Sequence, residues 1–413
     1  MVETAIVSAS GLQAIREAME AIKTGKNVVL LGGGVSLAEE VELKLAAAER
    51  GLLLLGPACG TLILNGRGYG IWNSVRNGPI GIIGTFGSGI QQVACLVEKI
   101  GISQALDVGF RDLCQRVNAL GTLSALKFLE ADPATEVIVL LSREPVTSVE
   151  RRVLDAARET GKPTVVCFLG SEVSGAWTGL VRAGTLEEAA AKVQALAEGR
   201  KPSELTPATM LEKFKKIAEE EYSKFGYGQR YIRGLYSGGA LCTEAMVIIK
   251  KNLGTVYSNI PLEHRLRLPD PHSSRGHACV DFGAENLAGG RHPAVDLSQR
   301  CQRIVKEAKD WETAVILFDV LLGTGAHPNP AGDLARALKE AKSATEQSGG
   351  YLSAVASVIG TEGDPQGLKK QVEQLKRAGA LVMSSNAQAG RMASLIATRG
   401  RAWKKTGQVV NRV

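Results

Sequence analysis

The chain has 413 residues, a length that suits two or three domains. Hydrophobic residues make up 45%, charged residues 22% and aromatics 5%, with 47 glycines against 14 prolines, which excludes disordered, collagen-like and coiled-coil chains and points to a Gly-rich α/β protein. The net charge of +7 lies at one end: eight basic and no acidic residues follow Glu373, leaving 41 basic against 42 acidic residues before it, so no broad nucleic-acid footprint is indicated.

Residues 4–56 alternate between apolar runs (TAIVSA, NVVLLGG, LLLLGP) and amphipathic segments (LQAIREAMEAIKTG, SLAEEVELKLAAAERG). Fully apolar runs joined through helices predict parallel strands covered on both faces. Three strands and two helices amount to about half of a dinucleotide-type fold, whose other half is expected to be absent or supplied by another chain. An uncharged run from Asn77 to Val97 has the length of a membrane span, but its five glycines, one proline and two glutamines predict a strand, a loop and a helix start.

Two similar stretches follow. The first, over residues 79–195, reads as strand PIGIIG, Gly-rich loop TFGSG and helix IQQVACLVEKI, then strand QALDVG, helix SALKFLEADPATE, strand VIVLLS, helix SVERRVLDAARETG and strand PTVVCFLG. The second, over 231–395, opens in the same way with strand YIRGLY, loop SGG and helix ALCTEAMVIIKKN, and continues through strands ACVDFG, TAVILFDV, LSAVASVIG and ALVMSS with intervening helices. Asp107-Val108-Gly109 matches Asp281-Phe282-Gly283, and ADPATEVIVLL matches AKDWETAVILF, marking an internal repeat. The expected organisation is a partial Rossmann-like domain at 1–78, two flavodoxin-like doubly wound domains at 79–195 and 231–395, a charged linker with one exposed helix at 196–230, and a basic tail at 396–413.

The loops TFGSGIQQ (85–92) and YSGGALCTEA (236–245) place small residues between a strand end and a helix start, where free amides and the positive helix end suit an anion. Phe86, Gly87, Ser88 and Gly89, with Ser237, Gly238, Gly239 and Ala240, are the candidate phosphate-binding residues. Neither loop is a Walker A or a GxGxxG motif; their equivalent places in the two copies suggest one anion between two helix N-termini, while packing alone also accounts for either loop by itself. All five histidines fall between 264 and 327. His292, in GGRHPAVD beside Arg291, and His327, in LGTGAHPNPAG beyond a strand's carboxyl end, are the candidate acid/base groups, with turn formation as the plainer alternative. Arg111 of Arg111-Asp112 is a candidate clamp for a carboxylate or phosphate; the alternative is an ion pair at a helix start. His272 and His277 stand five apart without a bracketing acidic pair, so no metal is expected. The terminal segment RMASLIATRGRAWKKTGQVVNRV reads as a frayed end or a partner contact. Seven widely spaced cysteines and a start without a basic n-region give a reducing, cytoplasmic expectation, with no membrane and no nucleic-acid partner.

Taken together, GPACG (56–60), IGIIGTFGSGIQQ (80–92), VGFRDL (108–113), GKPTVVCFLG (161–170), GGRHPAVD (289–296), LGTGAHPNPAG (322–332) and GTEGDPQ (360–366) resemble the FdrA family, relatives of succinyl-CoA synthetase, over residues 5–395. In that superfamily the first copy is similar to the ligase part of the synthetase α subunit, the second to the carboxyl-terminal part of the β subunit, and the opening half-fold to the end of the CoA-binding domain. The synthetases carry a phosphorylated histidine near the end of the first ligase domain; here residues 174–190 hold none. There is no ATP-grasp module, and Ala58 stands at the family's polar position in GPxC. The resemblance implies a carbamoyltransferase subunit of ureide (allantoin, oxalurate) breakdown, acting on carbamoyl phosphate and oxamate with companion subunits in an oligomer and without a certain cofactor. A CoA ligase subunit, with CoA near Gly32–Gly34 and Pro57–Gly60 and its nucleotide site on another chain, and a non-catalytic scaffold are the alternatives.

Overall fold

The computed structural model describes residues 3–171, 179–202, 208–284, 287 and 291–401, with the backbone alone at 208–213. It divides into two compact units, Met1–Ser203 and Glu204–Val413.

Unit 1 opens with β1 (Thr4–Val7), α1 (Gly11–Lys23), β2 (Asn27–Leu30), α2 (Leu37–Glu49) and β3 (Leu54–Leu55), a parallel sheet in the order β1-β2-β3. This is the expected three strands and two helices. The period of two along β2 divides its side chains: Val28 and Leu30 pack with Ala14, Ala18 and Leu43 of the helices, whereas Val29 joins a second core with Leu62, Leu106 and Leu126. Ser36 starts α2 with a capping box, its Oγ accepting from the Glu39 amide while the Glu39 carboxylate accepts the Ser36 amide.

A hairpin absent from the sequence reading comes next, β4 (Thr61–Leu64) and β5 (Arg67–Gly70). Asn65 and Gly66, at φ 51° and 75°, have the positive φ of a two-residue type I′ turn. The hairpin lies before the boundary drawn at residue 78, yet its strand β4 pairs antiparallel with β7 of the second sheet. That sheet holds β6 (Asn77–Gly84), β7 (Ile102–Asp107), β8 (Val137–Arg143), β9 (Thr164–Leu169) and β10 (Leu180–Arg182), interleaved with α3 (Gly87–Leu96), α4 (Leu120–Ala131), α5 (Thr147–Glu159) and α6 (Leu186–Ala197). Its order is β10-β9-β8-β6-β7-β4-β5. Without the hairpin, the copy's own strands run 2-1-3-4-5, the flavodoxin-like order.

Unit 2 has α7 (Ala208–Tyr222), β11 (Tyr231–Tyr236), α8 (Gly239–Leu253), β12 (Val256–Ser258), β13 (His277–Asp281), α9 (Ser298–Ala308), β14 (Thr313–Leu321), α10 (Pro330–Gln347), β15 (Ser353–Ile359), α11 (Leu368–Arg377), β16 (Leu381–Met383) and α12 (Asn386–Ala397). The parallel order β12-β13-β11-β14-β15-β16 is again 2-1-3-4-5, with β12 added at the edge. The fold is α/β throughout, as the apolar runs require.

Two sequence expectations fail here. The linker helix, expected to be exposed, is α7, and it buries Phe214 and Ala218 while Glu221 accepts the hydroxyls of Tyr351 and Ser353. Its charged stretches hide a short apolar stripe, enough to anchor one face. The segment after Arg391, expected to fray, continues α12 through Ala397 with Met392, Ala393, Leu395 and Ile396 in the core; the rest of the tail, 402–413, lies outside the described residues. Among the described residues no helix is long and apolar enough to cross a membrane.

One histidine is structural. His277 Nδ1 accepts the Ile232 amide at 3.2 Å, and the ring stands edge-on to Tyr231, with centroids 5.3 Å apart. Burial, with Arg233 and Arg230 adding, lowers its pKa from 6.5 to about 4. The folded state therefore keeps the ring neutral while the unfolded chain takes up a proton as pH falls below 6.5, so this contribution to stability is intact above that pH and is lost toward pH 4. The loss is about 2 kcal/mol by pH 5. Urea unfolding at pH 7.5 and 5 is expected to show a fall in unit 2 stability that shrinks by that amount in His277→Gln.

Candidate functional site

In unit 1 the carboxyl end of β6 turns directly into α3. Phe86 stands at the N-cap with an extended backbone and no capping side chain; the Gly89 amide donates to Phe86 O at 3.1 Å, which leaves the amides of Gly87 and Ser88 as the first-turn donors without an intrahelical acceptor. Ser88 is 7% exposed, and its Oγ is buried without a hydrogen-bond partner. Gly87 is required by crowding, since a Cβ there meets Thr61 Oγ1 at 2.7 Å. The loop is clamped from both sides. Thr85 donates its amide to Leu141 O at 3.1 Å and its hydroxyl to Ser142 Oγ at 3.0 Å. On the other side Asp107 accepts the Gly60 amide at 2.9 Å and the Gly109 amide at 3.0 Å. Burial raises Asp107 to about 6, against the lowering effect of the amides of Gly109, Gly60 and Thr61 and the charge of Lys44. Both of its oxygens accept backbone donors, so Asp107→Asn turns one acceptor into a donor facing an N–H. A cost of about 1–3 kcal/mol is expected in urea unfolding.

Arg111 serves the protein. Its Nε donates to Glu40 at 2.7 Å and its Nη2 to Val35 O at 2.7 Å, both in the N-terminal half-fold. Asp112 is likewise not its partner. The Asp112 carboxylate is fully buried and accepts from Lys44 Nζ, from the Gly121 and Thr122 amides, each at 2.8 Å, and from Thr122 Oγ1 at 2.6 Å. Lys44 also reaches Glu40 and Val108 O, each at 2.8 Å. Burial acts against its charge, but the carboxylates of Asp112 and Glu40 outweigh that and raise its pKa. The helix-start ion pair considered for Arg111 and Asp112 is thus replaced by a buried network built on a lysine 68 positions upstream. No local sequence signal marks it.

In unit 2 the corresponding turn runs from β11 into α8, with Gly238 at the N-cap and Gly239 and Ala240 in the first turn. Ser237 differs from Ser88: its amide donates to Asp319 Oδ1 at 2.8 Å and its hydroxyl to Asp319 Oδ2. Arg300, 1% exposed, donates to Asp319 O at 2.6 Å and Oδ1 at 3.2 Å and ties the carboxyl end of β14 to Leu235 O. Sequence reading missed both Asp319 and Arg300, each of which sits inside an ordinary strand or helix pattern.

The two histidine loops meet. The His327 amide donates to Ala294 O at 2.8 Å, two residues after His292. His292 Nδ1 accepts the Ala294 amide at 3.2 Å, and its Nε2 lies beside Gly283, 3.5 Å from where a Cβ on that residue falls. His292 is exposed as a residue, yet the surrounding protein desolvates its ring and lowers its pKa, with Asp319 opposing and Arg300 adding. His327 Nδ1 accepts the Asn329 amide at 3.2 Å, and Nε2 is 3.5 Å from Asp333. Gln366 holds this loop by bonding Gly323 N, Gly323 O and His327 O. Arg291 is exposed and lines a cavity of about 40 Å³ with Phe282, Asp296, Ser298 and Arg300. Gly289 and Gly290 of GGRHPAVD, and 172–178 of the histidine-free stretch, lie outside the described residues. A larger groove of about 550 Å³ between α4 and α5 is lined by Lys127, Arg151, Arg152, Glu130, Asp155 and Glu159 and lies on the helical face, apart from these loops. Among the described residues no group of three or more His, Cys, Asp or Glu is placed to hold a metal ion.

A CoA-ligase family profile matches residues 235–396. The chain is 38% identical over 400 residues to the uncharacterised protein YahF of Escherichia coli, covering 96% of this chain and 77% of that one. It is 28% identical over 151 residues to subunit alpha 2 of an ADP-forming succinate–CoA ligase of Archaeoglobus fulgidus, covering 36% of this chain and about half (52%) of that subunit. Among solved structures, a dinucleotide-forming acetyl-coenzyme A synthetase of Ca. Korarchaeum cryptofilum aligns at 17% identity and a TM-score of 0.34, over 100% of this chain and 86% of that one.

Proposed function

The chain belongs to the FdrA family of the succinyl-CoA synthetase superfamily, and from that premise we propose that it is a carbamoyltransferase subunit that moves the carbamoyl group between carbamoyl phosphate and oxamate. One observation carries the reading: a buried hydroxyl without a partner, Ser88 Oγ, at the open first turn of α3. Helix amides and a hydroxyl donor are the groups a phosphate oxygen needs. In the forward direction the oxamate nitrogen forms a bond to the carbamoyl carbon, the C–O bond to phosphate breaks, and the nitrogen's proton passes to a base. Direct attack needs no phosphohistidine, in keeping with a chain whose first histidine is His264. The helix N-terminus stabilises the leaving phosphate because its donors are already oriented.

For unit 2 the same reading assigns Gly238, Gly239 and Ala240 an anion cradle of their own, His292 and His327 proton-handling roles, and Arg291 a carboxylate contact. Arg111 keeps only the part of its guanidinium not engaged by Glu40 and Val35. Companion subunits, an oligomer and a cytoplasmic location belong to the proposal.

The CoA-ligase profile over 235–396 favours a second reading, an acyl-CoA ligase subunit with CoA at Gly32–Gly34 and Pro57–Gly60 and a nucleotide-binding partner. A thermal-shift titration with carbamoyl phosphate, phosphate, oxamate, CoA and ATP separates the two, since a ligand of the native state raises its melting temperature. Stabilisation by carbamoyl phosphate and phosphate is expected; stabilisation by CoA alone overturns the proposal in favour of the ligase.

A further inference from the structure

Among the described residues of unit 1, three buried side-chain polar atoms have no hydrogen-bond partner: Ser88 Oγ, Glu150 Oε1 and Ser171 Oγ. Unsatisfied buried groups cost stability and are rare, so their distribution carries information. All three lie at one end of one sheet. Ser88 follows β6, Glu150 is in the first turn of α5 after β8, and Ser171 follows β9. These strands are neighbours in the order β9-β8-β6. At about 4.8 Å per strand, the three strand ends span about 10 Å, the size of a small acyl phosphate.

Hydrogen bonds hold the three loops together. Thr85 bonds Leu141 and Ser142 at the end of β8, and the Glu144 amide donates to Leu169 O of β9 at 3.1 Å. The Ser171 amide donates to Phe168 O at 3.1 Å, and Arg182 donates to Ser171 O. Glu150 is only 5% exposed. A carboxylate in that position, with an oxygen unmet by the protein, is a strong acceptor awaiting an N–H donor.

We propose that Glu150 is a specificity residue of the α3 site, its carboxylate accepting the N–H of a carbamoyl or other amide-type group whose phosphate rests on the helix, with Ser171 as an accessory hydroxyl. The inference rests on the reading of α3 as a phosphate cradle and adds what selects the group attached to that phosphate. An acetyl or succinyl group has no N–H to offer. Burial raises the Glu150 pKa, Glu144 adds to the effect and Arg182 opposes it, as expected of a carboxylate held dry at a cost to the fold.

The test compares Kd values of the full chain for carbamoyl phosphate, acetyl phosphate and inorganic phosphate by calorimetry, in wild type, Glu150→Gln, Glu150→Leu and Ser88→Ala. Wild type is expected to favour carbamoyl over acetyl phosphate. Glu150→Leu is expected to remove that preference, a loss of at least tenfold for carbamoyl phosphate with phosphate unchanged, and Glu150→Gln to lie between. Both variants are expected to melt no lower than wild type, because a merely structural carboxylate would lower the melting temperature when removed. Equal weakening of all three ligands, or an unchanged preference, overturns the role of Glu150 and leaves the cradle standing. A wild-type chain that binds none of the three, or a Ser88→Ala chain that binds phosphate as wild type does, overturns the cradle and this inference with it.

Discussion

Gly87→Asp is expected to abolish the proposed carbamoyl transfer, with phosphate affinity falling at least a hundredfold while the chain stays folded. Aspartate is well tolerated in the first turn of a helix, where the dipole favours it, so the loss reads out on the ligand. Two effects combine. The new Cβ begins 2.7 Å from Thr61 Oγ1 and pushes on β4, and the carboxylate takes up the amides proposed to meet the phosphate. A like charge about 4 Å from a bound phosphate costs on the order of 4 kcal/mol at an effective dielectric constant of about 20. Gly87→Ala carries the steric effect alone and is expected to lose much less. Calorimetry with phosphate, beside kcat/KM for the proposed carbamoyl transfer, measures both; equal Kd values for Gly87→Asp and wild type would remove the phosphate from α3.

Lys44→Met is expected to lower the unfolding free energy of unit 1 by about 3–5 kcal/mol, because removing one member leaves buried charges uncompensated. The methionine fills most of the volume, so the loss is electrostatic. Glu40 retains Arg111, but Asp112 is left with amide and hydroxyl donors only. The double variant Lys44→Met with Asp112→Asn is expected to recover part of the loss, and the cycle isolates the pair's coupling. Urea unfolding followed on unit 1 gives both numbers; a single-variant change under 1 kcal/mol would show that the network is not a stability element. Since Glu40 and Lys44 lie on α2 while Asp112 follows β7, the same network fixes the half-fold to the ligase-like sheet.

Most strand and helix identities in both copies were legible because fully apolar runs alternate with strongly amphipathic ones and Gly-rich turns separate them; β10, α6 and the three-residue β12 were not read. The flavodoxin-like expectation is met by the 2-1-3-4-5 order, which no single segment of the sequence displays. The β4–β5 hairpin was missed although Asn65-Gly66 between TLIL and RGYG is a direct hairpin signal; each strand is only four residues long, and RGYG lacks the apolar alternation of a buried strand. α12 was missed because its terminal arginines outweighed an apolar stripe that only the buried face reveals. At the site, glycine spacing marked both helix starts. It did not separate Ser88, which has an unmet hydroxyl, from Ser237, which is bound to Asp319, since that distinction depends on a residue 82 positions away. Glu150 and Ser171 were not singled out, because burial at a strand end is set by the neighbouring loops.

The two clamps differ in a way that bears on how the copies diverged. In each, the end of the third strand grips the residue entering the first helix: Ser142 holds Thr85 in one, Asp319 holds Ser237 in the other. The first grip is between neutral hydroxyls. The second sets a carboxylate behind the α8 amides and needs the guanidinium of Arg300 to balance it. Ser88, two residues after the N-cap, has Ala240 as its counterpart. Duplication therefore preserved the mechanical part of the turn while redistributing its charge and removing one donor, leaving two helix starts of the same shape with different appetites for an anion.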